Sequence, residues 1–307
     1  MNPVLRSNRR LAAAITHAAS KQTYYTVRFL VDPQRIRDAY RAYAYFRWVD
    51  DWLDRQTGDR TQRLAFVRRQ QALMESLYCR ETPGTLCAEE QFLADLVAGD
   101  REKNSGLQAY IHNMMAVMVF DAERRGRLIS QAELNEYTHW LAVSVTEALH
   151  YFIGHDSASP HNRFRYLAAT GAHIAHMLRD AVEDAQAGYY NIPQEVVAAH
   201  GIAPWDVASP AYRDWVKSRV QEARACFAAG KSYLVRVESL RCRMAGYAYM
   251  LRFEGILDAI EREGYLLRTG YTERKHASQA LQMFLTACWM AVNCHPVGAI
   301  SSAVSAR

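Results

Sequence analysis

Four aspartates carry the most chemical promise in this sequence. Asp50 and Asp54 lie four residues apart in YFRWVDDWLDR (45–55), and Asp180 and Asp184 repeat the interval in HMLRDAVEDAQAGYYNIP (176–193). On a helix, residues at i and i+4 project from one face, one turn above the other. Each pair sits among apolar neighbours: Trp48, Val49, Trp52 and Leu53 in the first, Met177, Leu178 and Val182 in the second. Acids on such a face are costly unless they line a cavity and are neutralised. Magnesium meets that need. It is a hard cation, held by one or two carboxylates while substrate phosphates complete its shell. Two helices with one carboxylate pair each suit a diphosphate bridged by Mg²⁺. Arg47 and Arg179 stand beside the pairs, and a guanidinium takes phosphate oxygens in bidentate fashion. His176 extends the second series by one more turn. A lone DxxxD is usually a solvated helix face; two of them, each with an adjacent arginine, shift the balance towards a site.

The elements that must position these groups are helices. Eight prolines and fifteen glycines punctuate the 307 residues, and alternating strand patterns are scarce. Periodic segments run over 33–55, 61–80, 87–99, 105–124, 131–154, 162–187, 210–237 and 241–264. Breaks come at Pro33, Gly58, ETPGT (81–85), HDSASPHN (155–162), IPQ (192–194), IAPWD (202–206) and RTGY (268–271). No repeat or low-complexity linker divides the chain. The expectation is one large all-α domain over 1–307, with 277–307 an apolar C-terminal helix or tail.

Composition narrows the function. Half of the residues are hydrophobic, enough for a large core. The net charge of +5 is scattered, with no long basic block, which argues against nucleic acid and leaves room for an anionic small substrate or lipid surface. The six cysteines form no CxxC pair and no zinc-type spacing, so a reduced, cytoplasmic chain is expected. The N-terminus lacks a signal-peptide core, and no apolar run is long enough to span a bilayer.

With the acidic motifs in view, the chain resembles the squalene/phytoene synthase family from about residue 18 to 275. The family's first acidic motif resembles AYAYFRWVDDWLDR (42–55), its second HMLRDAVEDAQAGYYNIPQEVVAAHGI (176–202), and its N-terminal substrate-loop signature SKQTYYTVRFLVDP (20–33). EYTHWLAVSVTEALHYFIG (136–154) is similar to its central pocket helix and YMLRFEGILDAIEREGY (249–265) to its late helix. The resemblance implies the isoprenoid-synthase helical bundle around a central cavity. It also implies Mg²⁺-dependent joining of two prenyl diphosphates, farnesyl or geranylgeranyl, head to head through a cyclopropylcarbinyl diphosphate to a squalene-, dehydrosqualene- or phytoene-like hydrocarbon. Asp50, Asp54, Asp180 and Asp184 would hold two or three Mg²⁺ ions with the diphosphate. Arg47 and Arg179 would bind diphosphate, Tyr43, Tyr137 and the Thr23–Tyr24–Tyr25 segment would line the substrate sites, and Arg274 would be the late phosphate-binding arginine. No GxGxxG loop is present, so NADPH is not expected.

The sequence departs from the family in two places. His176 stands where the family has Asn, and an imidazole suits Mg²⁺ less well than an amide oxygen. It is either a tolerated substitution or a diphosphate donor or acid–base group. In AVSVTEALH, Thr146, Glu147 and His150 lie in or beside the expected lipid tunnel, and the family's late tyrosine is Phe253. Two alternatives therefore stay open: a divergent terpene synthase or diphosphate lyase acting on one prenyl diphosphate, and a non-catalytic assembly or lipid-binding protein, against which the four retained aspartates argue. The run from Ala280 to Val292 is nearly all apolar, and reads either as a core helix or as a peripheral membrane contact.

Overall fold

The computed structural model describes residues 3–55, 60–82, 84–271 and 277–293, and for 3–9 and 277–284 the backbone only. Every regular element among the described residues is an α-helix. In chain order these are α1 (Pro3–Ala19), α2 (Lys21–Leu30), α3 (Ile36–Arg55), α4 (Arg60–Tyr78), α5 (Ala88–Gly99), α6 (Gly106–Arg124), α7 (Gln131–Phe152), α8 (Leu167–Gln186), α9 (Gln194–His200), α10 (Pro210–Leu234), α11 (Leu240–Arg262) and α12 (Ala277–Asn293). The all-α expectation holds.

Serine sets many of the helix starts. Ser20, Ser105, Ser130, Ser209 and Ser239 are N-caps whose hydroxyls accept a backbone N–H from the first turn. Ser130 and Glu133 complete a reciprocal capping box at α7.

The helices form two compact units: Met1–His155 with Asp184–Pro204, and Asp156–Glu183 with Trp205–Arg307. Helix α8 contributes to both, changing unit between Glu183 and Asp184. In the first unit α6 pairs with α7, and α3 packs against α1 and α5. Helix α3 buries Ala42, Tyr45, Phe46, Val49 and Leu53, the three-and-four spacing of an inward stripe. Asp32, itself buried, accepts the backbone N–H groups of Gly154 and His155 at 3.0 to 3.2 Å. That tie fixes the turn before α3 to the end of α7.

In the second unit α8 and α10 cross closely. A Cβ at Gly230 of α10 would stand 2.8 Å from the Cβ of Ala168 and 2.9 Å from its Cα, so only glycine allows this approach. Helix α11 packs on α12. Ala287 and Ala291 of α12 are buried, whereas Leu285, Trp289 and Val292 are more than half exposed. The apolar tail therefore has one packed edge and one open edge. Among the described residues, no helix is long and apolar enough to cross a membrane.

Candidate functional site

In the first unit the acids of α3 lie at the border of its buried stripe. Asp50, part-exposed, and Asp54, exposed, flank the buried Phe46, Val49 and Leu53 on the helix. Arg47 donates to Asp50 at 3.0 Å and pairs with Asp51 at 2.5 Å. Burial and then the neighbouring Asp54 raise the Asp50 carboxyl to about 7, with Asp121 and Asp51 adding to the push and Arg47 opposing it. Asp54 is raised too, by burial and by Asp51 and Asp121, against Arg47 and Arg125. The Tyr43 phenol belongs to the same group: burial raises it, Ser20 hydrogen-bonds it, and Arg47, Asp50 and Asp51 act on it electrostatically.

Asp121, at the end of α6, links this cluster to Asp184. Asp121 and Arg124 are three residues apart on one helix face, and Arg124 Nε donates to Asp121 at 2.7 Å. Arg124 Nη1 donates to the Asn191 side-chain oxygen at 3.0 Å, and the Asn191 amide donates to Asp184 at 2.8 Å. Tyr137 donates its hydroxyl to the other oxygen of Asp121 at 3.1 Å. The Arg124 guanidinium lies 4.8 Å from the ring centre of Tyr137 and 5.0 Å from that of Tyr189. Burial works against its charge, but Asp121, Tyr137 and Asp184 hold the proton more firmly than usual. The chain reverses after α8 at Gly188, whose φ of +86° suits glycine, and its carbonyl accepts from the N–H of Gly126 at 2.8 Å. That reversal returns Asn191 to Asp184.

In the second unit α8 presents His176, Arg179 and Asp180. His176 Nε2 lies 2.9 Å from Asp180, and both Nε and Nη2 of Arg179 donate to the same carboxylate. Burial opposes ionisation of Asp180, yet the hydrogen bonds from Arg179 and His176 hold its carboxyl well below the usual range. The His176 side chain is half open, and its ring centre is 6.0 Å from that of Phe253. Desolvation lowers its proton affinity, Asp180 pulls the other way, and Arg179 and Arg252 add to the lowering. Arg179, Asp180, Glu183, Gly270 and Tyr271 line an open recess of about 210 Å³. Glu183 accepts the Gly270 N–H across it at 3.0 Å.

The remaining expected residues are distributed as follows. Thr23 is in the first turn of α2, bonded to the capping Ser20. Tyr24 stacks on Tyr40, ring centres 5.5 Å apart, while Tyr25 is half exposed. The stretch read as a loop signature is thus largely the helix α2. Thr146 and Glu147 are buried in α7, and a Cβ at Gly106 would lie 3.5 Å from Glu147 Oε2, which places that carboxylate beside the first turn of α6. Free N–H groups at a helix start favour an anion there. Arg274 lies outside the described residues.

Asp121, Arg124 and Asn191 are members of the site that sequence reasoning missed. A signal exists in FDAERRGR (120–127), where an apolar helix ends in two acids and three arginines. Asn191 carried none, since only the turn at Gly188 makes it a partner of Asp184.

Among the described residues, no group of three or more His, Cys, Asp or Glu is gathered closely enough to hold a metal ion. The donor set nevertheless fits Mg²⁺. All its oxygens are carboxylate, and the mutual repulsion of Asp50, Asp54 and Asp121 is what a divalent cation relieves. Mg²⁺ takes one or two carboxylates and completes its shell with phosphate and water, so no all-protein cage is required.

The squalene/phytoene synthase family model matches residues 16–280. A chloroplastic phytoene synthase from an Oncidium hybrid cultivar is 24% identical over 271 residues, 85% of this chain and 63% of that protein. The chain thus spans less than two thirds of that relative's length. A dehydrosqualene synthase crystallised with a ligand shares the fold with a TM-score of 0.70 at 16% identity, over 92% of this chain and 95% of the other. Squalene synthase HpnC from Alicyclobacillus acidocaldarius does so with a TM-score of 0.66 at 19% identity, over 87% and 98%. With both acidic motifs inside the matched span, the chain belongs to the squalene/phytoene synthase family, whose members are prenyltransferases.

Proposed function

We propose that this chain is a Mg²⁺-dependent prenyltransferase that joins two prenyl diphosphates head to head. The observation that carries the reading is the family match over residues 16–280, with Asp50 and Asp54 one turn apart on α3 and Asp180 and Asp184 one turn apart on α8 inside it. Burial and the neighbouring acids disfavour the charge on Asp50, which a bound cation would offset. Bound Mg²⁺ supplies positive charge to the departing diphosphate. Asp50, Asp54, Asp180 and Asp184 would hold it. Arg124 and Asn191 orient Asp184. Arg47 and Arg179, now paired with Asp50, Asp51 and Asp180, would be free to bind phosphate oxygens if those carboxylates held metal. The allylic C–O bond breaks, its electrons leave with diphosphate, and the cation is captured by the double bond of the second substrate with loss of a proton; the cyclopropylcarbinyl diphosphate so formed then loses its own diphosphate, and the rearranged cation is quenched by loss of a second proton. Tyr43 would offer its ring to a cation, whereas the Tyr137 ring already carries the Arg124 guanidinium.

The test is incubation of the purified protein with Mg²⁺ and either farnesyl or geranylgeranyl diphosphate, followed by mass analysis of the extracted lipid. A C30 or C40 product is expected, with turnover down at least about a thousandfold in Asp50→Ala and in Asp180→Ala. A C15 or C20 product would instead identify a single-substrate terpene synthase. A near-normal rate in either folded variant would refute the assignment of the acids.

A further inference from the structure

We propose that the hydroxyl of Tyr189 is a further catalytic group, which donates a hydrogen bond to the diphosphate of the substrate. This role rests on the function proposed above and adds a residue to it. The backbone and two arginines fix where the ring stands. Tyr189 follows the turn at Gly188, and its N–H donates to the Asp184 carbonyl at 2.8 Å. Arg125 Nε donates to the Ala187 carbonyl at 3.1 Å, and the Gly126 N–H donates to the Gly188 carbonyl at 2.8 Å, so the turn is tied to the end of α6 on both sides. The guanidinium of Arg124 lies 5.0 Å from the centre of the Tyr189 ring and that of Arg125 5.4 Å. Arg124 itself is anchored on Asp121 and Asn191.

The ring has a structural role, but the hydroxyl has none. Tyr189 is only half-buried, and its hydroxyl makes no hydrogen bond among the described residues. The phenols of Tyr45, Tyr110 and Tyr137 each donate at 3.1 Å, to Gln70, to the Ala42 carbonyl and to Asp121. A phenylalanine would stack on both guanidiniums as well as Tyr189 does, so the oxygen is left for a ligand. The surroundings indicate which ligand. Burial and then Asp121 raise the phenol, with Asp54 adding to the push and Arg125 and Arg124 opposing it, so the group is a neutral donor at pH 7. A neutral phenol is a poor ligand for Mg²⁺, which takes carboxylate, phosphate and water oxygens. The anion that completes the shell of a cation held by Asp54 would come within reach of a donor beside that cluster. Two guanidiniums next to the ring favour a polyanion there.

Calorimetric titration of the full-length protein with inorganic pyrophosphate in saturating Mg²⁺ tests the proposal, alongside turnover of farnesyl and geranylgeranyl diphosphate. Tyr189→Phe removes the oxygen and keeps the ring, so its melting curve should match the parent. Its Kd for pyrophosphate should rise about ten- to a hundredfold, the scale of one hydrogen bond to a charged group, and the KM for prenyl diphosphate should rise with it. The Mg²⁺ concentration for half-maximal turnover at saturating substrate should stay at the parental value. Tyr189→Leu, which also takes the ring from the two guanidiniums, should bind at least as weakly as Tyr189→Phe. Equal pyrophosphate affinity in the parent and in folded Tyr189→Phe would overturn the proposal and leave the function above in place. If only Tyr189→Leu were weakened, the role would belong to the ring, which overturns it too. A raised Mg²⁺ requirement in Tyr189→Phe with unchanged pyrophosphate affinity would place the hydroxyl on a metal-bound water, again against the proposal. A parent protein that neither binds pyrophosphate with Mg²⁺ nor consumes either prenyl diphosphate would overturn both readings together.

Discussion

The clamp on Asp184 offers the sharpest test of the site. Asn191→Asp keeps the shape of the side chain and leaves an oxygen to accept from Arg124 Nη1, now at 3.0 Å. It replaces the amide that donates to Asp184 at 2.8 Å with a second carboxylate oxygen. At that distance, and with an effective dielectric constant of about 20, two full charges repel by roughly 6 kcal/mol. Arg124 Nη1, 3.0 Å from the new carboxylate, offsets most of this by the same reckoning, and it is the burial of position 191 that favours a proton held by the pair. A protonated pair is a poor ligand for Mg²⁺. We expect the Mg²⁺ concentration for half-maximal turnover to rise about 10- to 100-fold, the usual scale when a ligand's supporting partner is lost. The defect should shrink as pH is raised and the shared proton leaves. Stability should move the other way. The folded variant binds a proton that the unfolded chain has released, so its stability falls as pH rises through neutrality.

The assay is consumption of prenyl diphosphate against Mg²⁺ at several pH values, with thermal melts of the same samples. Asn191→Ala is the companion variant. It removes the donor without adding charge, so Mg²⁺ affinity should weaken with little added pH dependence. A folded Asn191→Asp protein with parental Mg²⁺ dependence at every pH would show that Asp184 takes no part in metal binding.

Four further outcomes follow from the same structure. Without a cation, Asp50 titrates near 7 rather than near 4, so Mg²⁺ binding at pH 6 to 7 should release protons, measurable in weak buffer with an indicator dye. For the same reason, the contribution of Asp50 to metal-free stability is lost as pH rises from about 4 to about 7; with 41% of its side chain exposed, solvent screening keeps this below about 1 kcal/mol, and a melting temperature flat in both Asp50→Asn and parent, with no proton release, would remove Asp50 from the cluster. His176→Asn exchanges the imidazole paired with Asp180 for an amide; activity should hold or rise and the Mg²⁺ requirement ease, whereas a large loss in a folded variant would assign the imidazole a chemical role. Gly230→Ala should cost about 1 to 3 kcal/mol in chemical denaturation because the added methyl meets the Ala168 backbone, and an unchanged midpoint would mean that α8 and α10 are not in such close contact.

Most helices were legible because apolar spacing and capping agreed. The segment expected over 105–124 is α6 at Gly106–Arg124, and that over 131–154 is α7 at Gln131–Phe152, each opened by a serine cap. Helix α2 was not legible. KQTYYTVRFL is rich in β-branched and aromatic residues of middling helix propensity. Its helicity comes from the Ser20 cap and from packing of Tyr24 and Val27, which are tertiary facts. Helix α9 has only seven residues and no buried side chain, so it leaves no periodic trace.

The acids show the limit of spacing more clearly. Asp50 and Asp180 look equivalent in the sequence: each opens a DxxxD in an apolar helix with an arginine close by. The structure gives them opposite electrostatic states. Four residues before Asp180 stands His176, which hydrogen-bonds it, and Arg179 grips both of its oxygens, so that carboxylate is charged even without a cation. Four residues before Asp50 stands the buried Phe46, Arg47 is shared with Asp51, and the nearest further charges are acids, so that carboxyl keeps its proton to about 7. The helical period determines which side chains share a face, but the third acid, Asp121, enters from a different helix, and its partner Asn191 arrives only after the turn at Gly188. Under the proposed role of the acids, metal binding at the two would carry different costs. At Asp180 a cation would compete with Arg179 and His176 for the carboxylate, and a displaced guanidinium would be free for phosphate. At Asp50 it would displace a proton and relieve the repulsion from Asp54 and Asp121. Diphosphate should therefore assist metal binding more at Asp180, where the released arginine needs a new anion, than at Asp50.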